Sequence, residues 1–394
     1  MTLEEVLRQI KPVDRAAMAQ AEKRWDAIAK PLKSLGRLVE TVIRMVGMSR
    51  GSRVKIEKKA LVAMCADNGV LAEGVAQSTA EVTAIIANQF ANGQTATTVM
   101  CDCAGVDLFP VDIGILAPIC EEYDVVGVGE AVGKRIDEQV TVVVDQAIVK
   151  ENDGAVSGET LEPRKLLNRC IMRGTGNIAV GPAMSREQAE AAIMVGVDMV
   201  RRLKHQGYEL IATGEMGIGN TTTSSAMTAV FLGQPVELVT GKGSGLSSAG
   251  MERKINAIKR AIAVNQPDPE DAMDVLAKVG GLDIAGMAGL FIGGALCRIP
   301  VLVDGLISSV AALTAIKMCP TVRDYVITTH TSKEPAGRML LEAIGVPAIL
   351  DAGMSLGEGS GAIAAIPVFE MGVKVFNQMG TFEDIDLEAY TPQI

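Results

Sequence analysis

Residues 214–222 read GEMGIGNTT and follow directly on the apolar run ELIAT (209–213). A glycine-rich turn from a strand into a helix suits a phosphate, because the first backbone N–H groups point at it and the helix dipole favours negative charge. Asn220, Thr221 and Thr222 would open that helix and add side-chain donors, and Gly217 would let the backbone come close. Glu215 sits in the same turn and would repel a phosphate. One ligand can satisfy both if the phosphate is carried on a ribose, whose hydroxyls donate to carboxylates, or on a protonated or N–H-bearing ring.

Two further loops repeat the theme: TGKGSGL (240–246), with Gly243, and LGEGSGA (356–362), with Glu358 and Gly359. Lys254, on the helix expected after the second loop, could neutralise the phosphate. None of the three ends in the Gly-Lys-Ser/Thr of a Walker A loop or has the G-x-G-x-x-G spacing of a dinucleotide site. GVGEAVG (127–133) misses that spacing by one residue, which argues against a nicotinamide-dependent dehydrogenase.

Histidine is scarce. His205, in RRLKHQG, reads as a solvated helix end, and His330 ends a strand, where packing and ligand contact are both open. H-E-x-x-H is absent from the chain and no Ser/His/Asp ordering stands out, so acid–base work falls to carboxylates. Several in one crevice raise one another's pKa, which suits a general base working near neutral pH. Of the seven Cys only Cys101 and Cys103 are close, so buried free thiols are expected rather than a metal site. Neither metal nor cofactor is called for.

These residues need a scaffold, and the chain is long enough, at 394 residues, for one large domain or two modest ones. Hydrophobic residues make up 48% and aromatics only 3%, so Ala, Val, Ile, Leu and 20 Met must build the core. Apolar runs at 60–69, 106–114, 209–217, 299–306, 325–332 and 346–354 end in small or polar residues, in most of them with a glycine, then give way to helical periodicity. Near-continuous apolar runs are strands covered on both faces, and the alternation predicts an α/β fold with a doubly wound parallel sheet. Asp67, Asp112, Glu215, Asp304 and His330 then fall at the carboxyl ends of strands, where such sheets bind ligands, and Glu358 follows the last run.

Residues 1–50 look like two amphipathic helical stretches broken at KPLKSLGR (30–37), and 116–168 reads as an insertion with a hairpin near 139–149. The net charge of −10, without a basic stripe, excludes nucleic acid as a partner. The start, MTLEEVLRQIKP, has no apolar signal core, which predicts a cytoplasmic protein. Ile284–Cys297 is too short to span a bilayer and is expected to be a buried helix, so no membrane partner is expected.

With these stretches in view, the chain resembles the nicotinate-nucleotide:dimethylbenzimidazole phosphoribosyltransferases, which make the lower-ligand nucleotide of cobalamin and other cobamides. The matching stretches are KSLGRL (33–38), CADNGVLAEGVA (65–76), RGTGNIAVGPAMSREQAEA (173–191), GEMGIGNTT, 265–289, PVLVDG (300–305), HTSKE (330–334) and LGEGSGA. The resemblance implies a Rossmann-like parallel sheet and a small helical domain from both termini (1–50 and 365–394) beside a large α/β domain (51–364). It also implies a dimer, and transfer of phosphoribose from nicotinate mononucleotide to an aromatic base with inversion at the anomeric carbon.

By carry-over Glu358 is the general base, Glu215 a supporting acid, and Lys254 and Ser332 sit near the phosphate. The candidate substrate contacts are Ser78, Ile86, Gly217, Asn220, Thr221, Thr222, Gly243, Lys254, Asp304, His330, Ser332 and Gly359.

The departures concern the acceptor. Family members commonly have Arg where this chain has Ser355, Gln where it has Ile86, and His where it has Asn68. An apolar wall in place of a polar partner for an azole leaves benzimidazole-type and phenolic acceptors (phenol or p-cresol) both open. Also open are a homodimer, a heterodimer with a homologous subunit, and a supporting rather than catalytic role within such a pair.

Overall fold

The computed structural model describes residues 1–51, 53–116, 160–243 and 245–390. The chain begins with three helices, α1 (Leu3–Gln9), α2 (Arg15–Ala27) and α3 (Arg37–Ser49), where two amphipathic stretches were expected. The first two start on side-chain caps, Thr2 and Asp14, which satisfy amides left open at a helix start. The α/β portion then runs β1 (Lys59–Ala66), α4 (Glu81–Asn92), α5 (Ala96–Ala104), β2 (Asp107–Gly114) and β3 (Leu167–Asn168). It continues through α6 (Arg186–His205), β4 (Leu210–Met216), α7 (Asn220–Leu232), α8 (Val236–Val239), α9 (Ser248–Asn265), α10 (Ala272–Val279) and α11 (Leu282–Cys297). The last elements are β5 (Val301–Val303), α12 (Leu306–Met318), β6 (Val326–Thr328), α13 (Gly337–Ile344) and α14 (Ser360–Gln378).

Among the described residues the sheet has six strands in the order β3-β2-β1-β4-β5-β6, and every pairing is parallel. Chain order reverses between β1 and β4, where Met64 stands beside Glu215 and Cys65 beside Met216. That switch point is where an open parallel sheet leaves a crevice at its carboxyl edge. All eight residues of β1 and all seven of β4 are buried, as expected for strands covered on both faces.

Two readings need correction. The run 346–354 is not a strand; it makes only an isolated bridge, His330 with Leu350. Pro347, Asp351 and Gly353 interrupt it, so apolar content alone could not sustain a ladder. The sixth strand is instead β3, two residues pairing with Val111 and Asp112, so the segment read as an insertion ends inside the sheet. The hairpin expected near 139–149 lies outside the described residues.

A core poor in aromatics packs backbone against backbone. A Cβ on Gly196 of α6 would sit 2.1 Å from the Gly286 carbonyl oxygen, and one on Gly289 of α11 would sit 1.9 Å from that of Ile193. These glycines let α6 and α11 touch almost axis to axis, and α11 is the buried helix expected over 284–297. Among the described residues no helix is long and apolar enough to cross a membrane. The chain ends meet: Trp25 of α2 packs against Phe376 of α14 in a tilted ring pair with centroids 5.3 Å apart, and Ile28 bridges Thr381. Residues 364 and 365, where the domain boundary was expected, are successive residues of α14.

Candidate active site

The crevice at the switch point gathers side chains from β1, β4, α5, α7, α9, α11 and the loops after β5 and β6. At one end Lys254 of α9 is wholly buried, and its Nζ donates to Thr221 Oγ1 at 2.8 Å and to the Gly241 carbonyl at 3.1 Å. Burial pushes its pKa down to about 8, with the nearby Glu334 carboxylate opposing the fall. Gly243 has φ +52°, and a Cβ there would stand 3.0 Å from Thr221 Oγ1 and 3.5 Å from Lys254 Nζ, so glycine keeps this corner open. A buried cation, a hydroxyl and the start of α7 converge as a phosphate requires.

At the other end Glu358 lies in the tight turn before α14. Gly357, Glu358 and Gly359 have φ of +85°, +60° and +88°, three consecutive left-handed residues. That conformation is costly for a residue with a side chain, and such strain persists only where the surroundings hold it. Thr97 Oγ1 donates to Glu358 Oε2 at 3.0 Å, and the Glu358 amide donates to Glu215 Oε1 at 3.2 Å. Burial raises the Glu358 pKa, the Thr97 bond opposes the rise, and Asp304 adds to it.

Between the two ends is a buried acid pair. The Asn220 amide donates to Glu215 and, at 2.9 Å, to Asp283 Oδ2. Burial, and then the charge of Asp283, pushes the Glu215 pKa up to about 8, while burial pushes Asp283 up to about 6. Near neutral pH the pair therefore tends to keep a proton. Asp67, also raised by burial, accepts from the Leu116 amide at 2.8 Å and bonds to Thr83. Asp283 Oδ1, Asp67 Oδ1 and Asn68 Nδ2 are buried with no hydrogen-bond partner, so the crevice keeps polar valences that a ligand could fill.

The sequence-derived candidates distribute unevenly. Glu358, Glu215, Asn220, Thr221, Gly243, Lys254 and Gly359 form the contacts described, and a Cβ on Gly217 would fall 2.8 Å from Asp283 Oδ2. Thr222 is buried with its hydroxyl unpartnered. Ser78 is half-buried in the loop before α4, beside Gln77, whose amide reaches the Gly245 carbonyl. Ile86 is half-buried on α4, one turn beyond Thr83, whose hydroxyl accepts from the Ile218 amide at 3.2 Å. Ser332 accepts from the Glu334 amide at 3.3 Å.

Asp304 and His330 are buried against the start of α14. Asp112 is occupied structurally: it accepts from the Gly114 and Ile115 amides at 3.0 and 2.8 Å and pairs with Arg173 at 3.0 Å. His205 is exposed at the end of α6, as expected. The thiols are less uniform than expected: Cys65 and Cys101 are buried, Cys103 is exposed, and Cys170, Cys297 and Cys319 are intermediate.

Sequence reasoning missed Thr97, which stands in an unremarkable helix start, and Glu334. It also passed over Asp283, which stands immediately before the apolar stretch Ile284–Cys297. A single acid opening a helix that is otherwise almost wholly apolar was the available signal.

A parallel sheet of this order, with a buried lysine beside a helix start and a carboxylate held in the crevice at its switch point, defines an α/β protein with a polar ligand crevice. A family model described as Phosphoribosyltransferase matches residues 10–386. A nicotinate-nucleotide–dimethylbenzimidazole phosphoribosyltransferase from Acetivibrio thermocellus is 39% identical over 390 residues, covering 99% of both chains. One of the same name from Geobacter metallireducens is 41% identical over 386 residues, covering 98% of both. Among solved structures, CobT from Thermus thermophilus superposes with a TM-score of 0.79 at 33% identity, covering 95% of this chain and 100% of that one. The chain belongs to the nicotinate-nucleotide–dimethylbenzimidazole phosphoribosyltransferase family.

Proposed function

We propose that this protein transfers phosphoribose from nicotinate mononucleotide to the aromatic lower-ligand base of a cobamide, giving an α-ribotide and nicotinate. The acceptor's ring nitrogen attacks the anomeric carbon from the face opposite nicotinate, and the bond to the pyridinium nitrogen breaks. The bonding pair returns to the pyridinium and neutralises it, so the leaving ring needs no proton. The acceptor's N–H proton passes to Glu358. Lys254, Thr221 and the start of α7 hold the phosphate, and Glu215 with Asn220 faces the ribose.

The observation that carries this reading is the pairing, in one crevice, of a buried cation beside a helix start with a carboxylate whose pKa is raised. A raised carboxylate is a stronger base than an exposed one while still accepting protons near neutrality. The intact Glu358–Thr97 contact supports a catalytic rather than a supporting chain. The test is incubation of the purified protein with nicotinate mononucleotide and each of dimethylbenzimidazole, benzimidazole, phenol and p-cresol. Free nicotinate and α-ribotide are expected in equal amounts, and release of neither with any acceptor would refute the reading.

A second reading concerns the acceptor. Ile86 presents an apolar side chain one turn from Thr83, which touches the glycine loop. An apolar wall removes the penalty on rings that cannot pair a polar group, so phenol and p-cresol are accepted beside benzimidazoles. For these acceptors the proton passed to Glu358 comes from the phenolic hydroxyl. We take the active unit to be a dimer, of this chain with itself or with a homologous subunit. Activity of the purified chain alone, with size measured by light scattering, separates the two.

A further inference from the structure

We propose that Asp304 is a positioning residue for the general base, fastening the first turn of α14 and thereby the Glu358 carboxylate, rather than a substrate contact. The inference rests on reading Glu358 as the base. Asp304 follows β5 and is 3% exposed. Its Oδ1 accepts from the Gly361 amide at 2.7 Å and the Ala362 amide at 3.0 Å. Those amides belong to the helix start, where intrahelical partners are lacking and a carboxylate is favoured by the dipole.

The turn needs fastening. Glu358 sits at φ +60° between two left-handed glycines, so its backbone relaxes elsewhere unless both flanks are held. On the near flank, its amide is bound to Glu215 Oε1. On the far flank, the hold comes from Asp304, three residues on at Gly361. His330 backs this contact: a Cβ on Gly361 would stand 1.8 Å from His330 Nδ1, so the imidazole packs directly against the turn. With both flanks and the Thr97 bond in place, Glu358 has one defined direction.

The charged and hydrogen-bonding groups facing Glu358 are Glu215 of β4, Asp304 after β5 and Thr97 of α5; those facing Asp304 include His330 and the α14 amides. The negative charge of Asp304 raises the proton affinity of Glu358, and the Thr97 hydroxyl lowers it. Two substitutions should therefore move the same titration in opposite directions, which a merely structural role would not do.

The experiment measures kcat and KM against pH for three variants in the full-length protein. Asp304→Asn keeps an acceptor oxygen and removes the charge. It should lower kcat by about 5- to 20-fold, leave KM for nicotinate mononucleotide within about threefold, and shift the acidic limb of the kcat profile to lower pH. Thr97→Val should shift that limb to higher pH. Asp304→Ala should lower kcat by about 100-fold, with circular dichroism and thermal unfolding as the folding check; if it does not fold, the other two variants decide. A KM for the nucleotide raised more than tenfold at unchanged kcat in Asp304→Asn would place Asp304 on the substrate and overturn the proposal. So would an acidic limb unmoved by Asp304→Asn. Failure of the underlying reading shows separately, as Glu358→Gln retaining turnover whatever Asp304 does.

Discussion

Helices α7 and α14 begin alike and are used differently. Each follows a glycine loop, each starts after a left-handed glycine, Gly219 at φ +99° and Gly359 at φ +88°, and neither N-cap has a side chain to cap with. At α14 the first amides are occupied by Asp304. At α7, among the described residues, no carboxylate accepts from the first-turn amides, and Lys254 stands beside Thr221 instead. The second helical residue shows the divergence: Thr221 supplies a hydroxyl to Lys254, while the matching Gly361 must be small because His330 covers it. At α14 two of the first amides are taken by a resident carboxylate; at α7 the Asn220 and Thr222 amides bond to the Gly217 and Gly219 carbonyls, and on the proposed reading Thr221 with Lys254 meets an arriving phosphate. On that proposal the same local grammar yields a binding site and a fixed arm.

The sharpest test of that division is at the arm. Glu358→Gln should lower kcat by about two to four orders of magnitude with nucleotide binding nearly intact, as for loss of a positioned base. Steady-state kinetics with calorimetric binding checks it, and a kcat within a few-fold of wild type breaks the comparison. At the open start, Lys254→Ala should raise KM for nicotinate mononucleotide by about 10- to 100-fold, and that for the acceptor far less. Because Lys254 loses its proton near pH 8, the wild-type affinity for nucleotide should weaken above that pH, and the variant should not share the trend.

The acid pair between the two ends tests the cost of the site. The Glu215 pKa is about 8 in the folded chain and near 4.5 when unfolded. Between those values the unfolded chain has released a proton that the folded chain keeps, so Glu215 removes stability as pH rises from about 4.5 to 8. Glu215→Gln should gain on wild type across that window, by on the order of 1–3 kcal/mol at pH 8, in denaturant titrations at pH 5 and pH 8. A gap independent of pH would contradict the assignment. Gly361→Ala should cost about 1–3 kcal/mol from overpacking against His330, whereas Thr221→Ala should leave stability nearly unchanged. The smallest effect is expected at Ile86→Gln, which should shift the product ratio of dimethylbenzimidazole to p-cresol in competition by a factor of roughly 5–10, about one hydrogen bond's worth. An unchanged ratio would remove Ile86 from the acceptor pocket.

Much of this protein was legible in its residues. Five of the six apolar runs are strands, because continuous burial on both faces writes itself into composition. The glycine loops and their carboxylates were visible because turns into helices constrain residue type locally. The sixth run, 346–354, misled because apolar content does not reveal whether a ladder partner exists. The two-residue β3 carried too little pattern to be seen.

What only the tertiary structure decided are relations between distant segments. Thr97 meets Glu358 across 261 positions, and Asp283 shares Asn220 with Glu215 across 63. No periodicity encodes such pairings, since they depend on how the sheet's carboxyl edge brings loops together. The sequence by itself determined which helix starts could hold an anion. That the α14 start holds a resident carboxylate was decided by packing, because burial and hydrogen bonding there are supplied by Asp304 and His330, side chains far away in the chain.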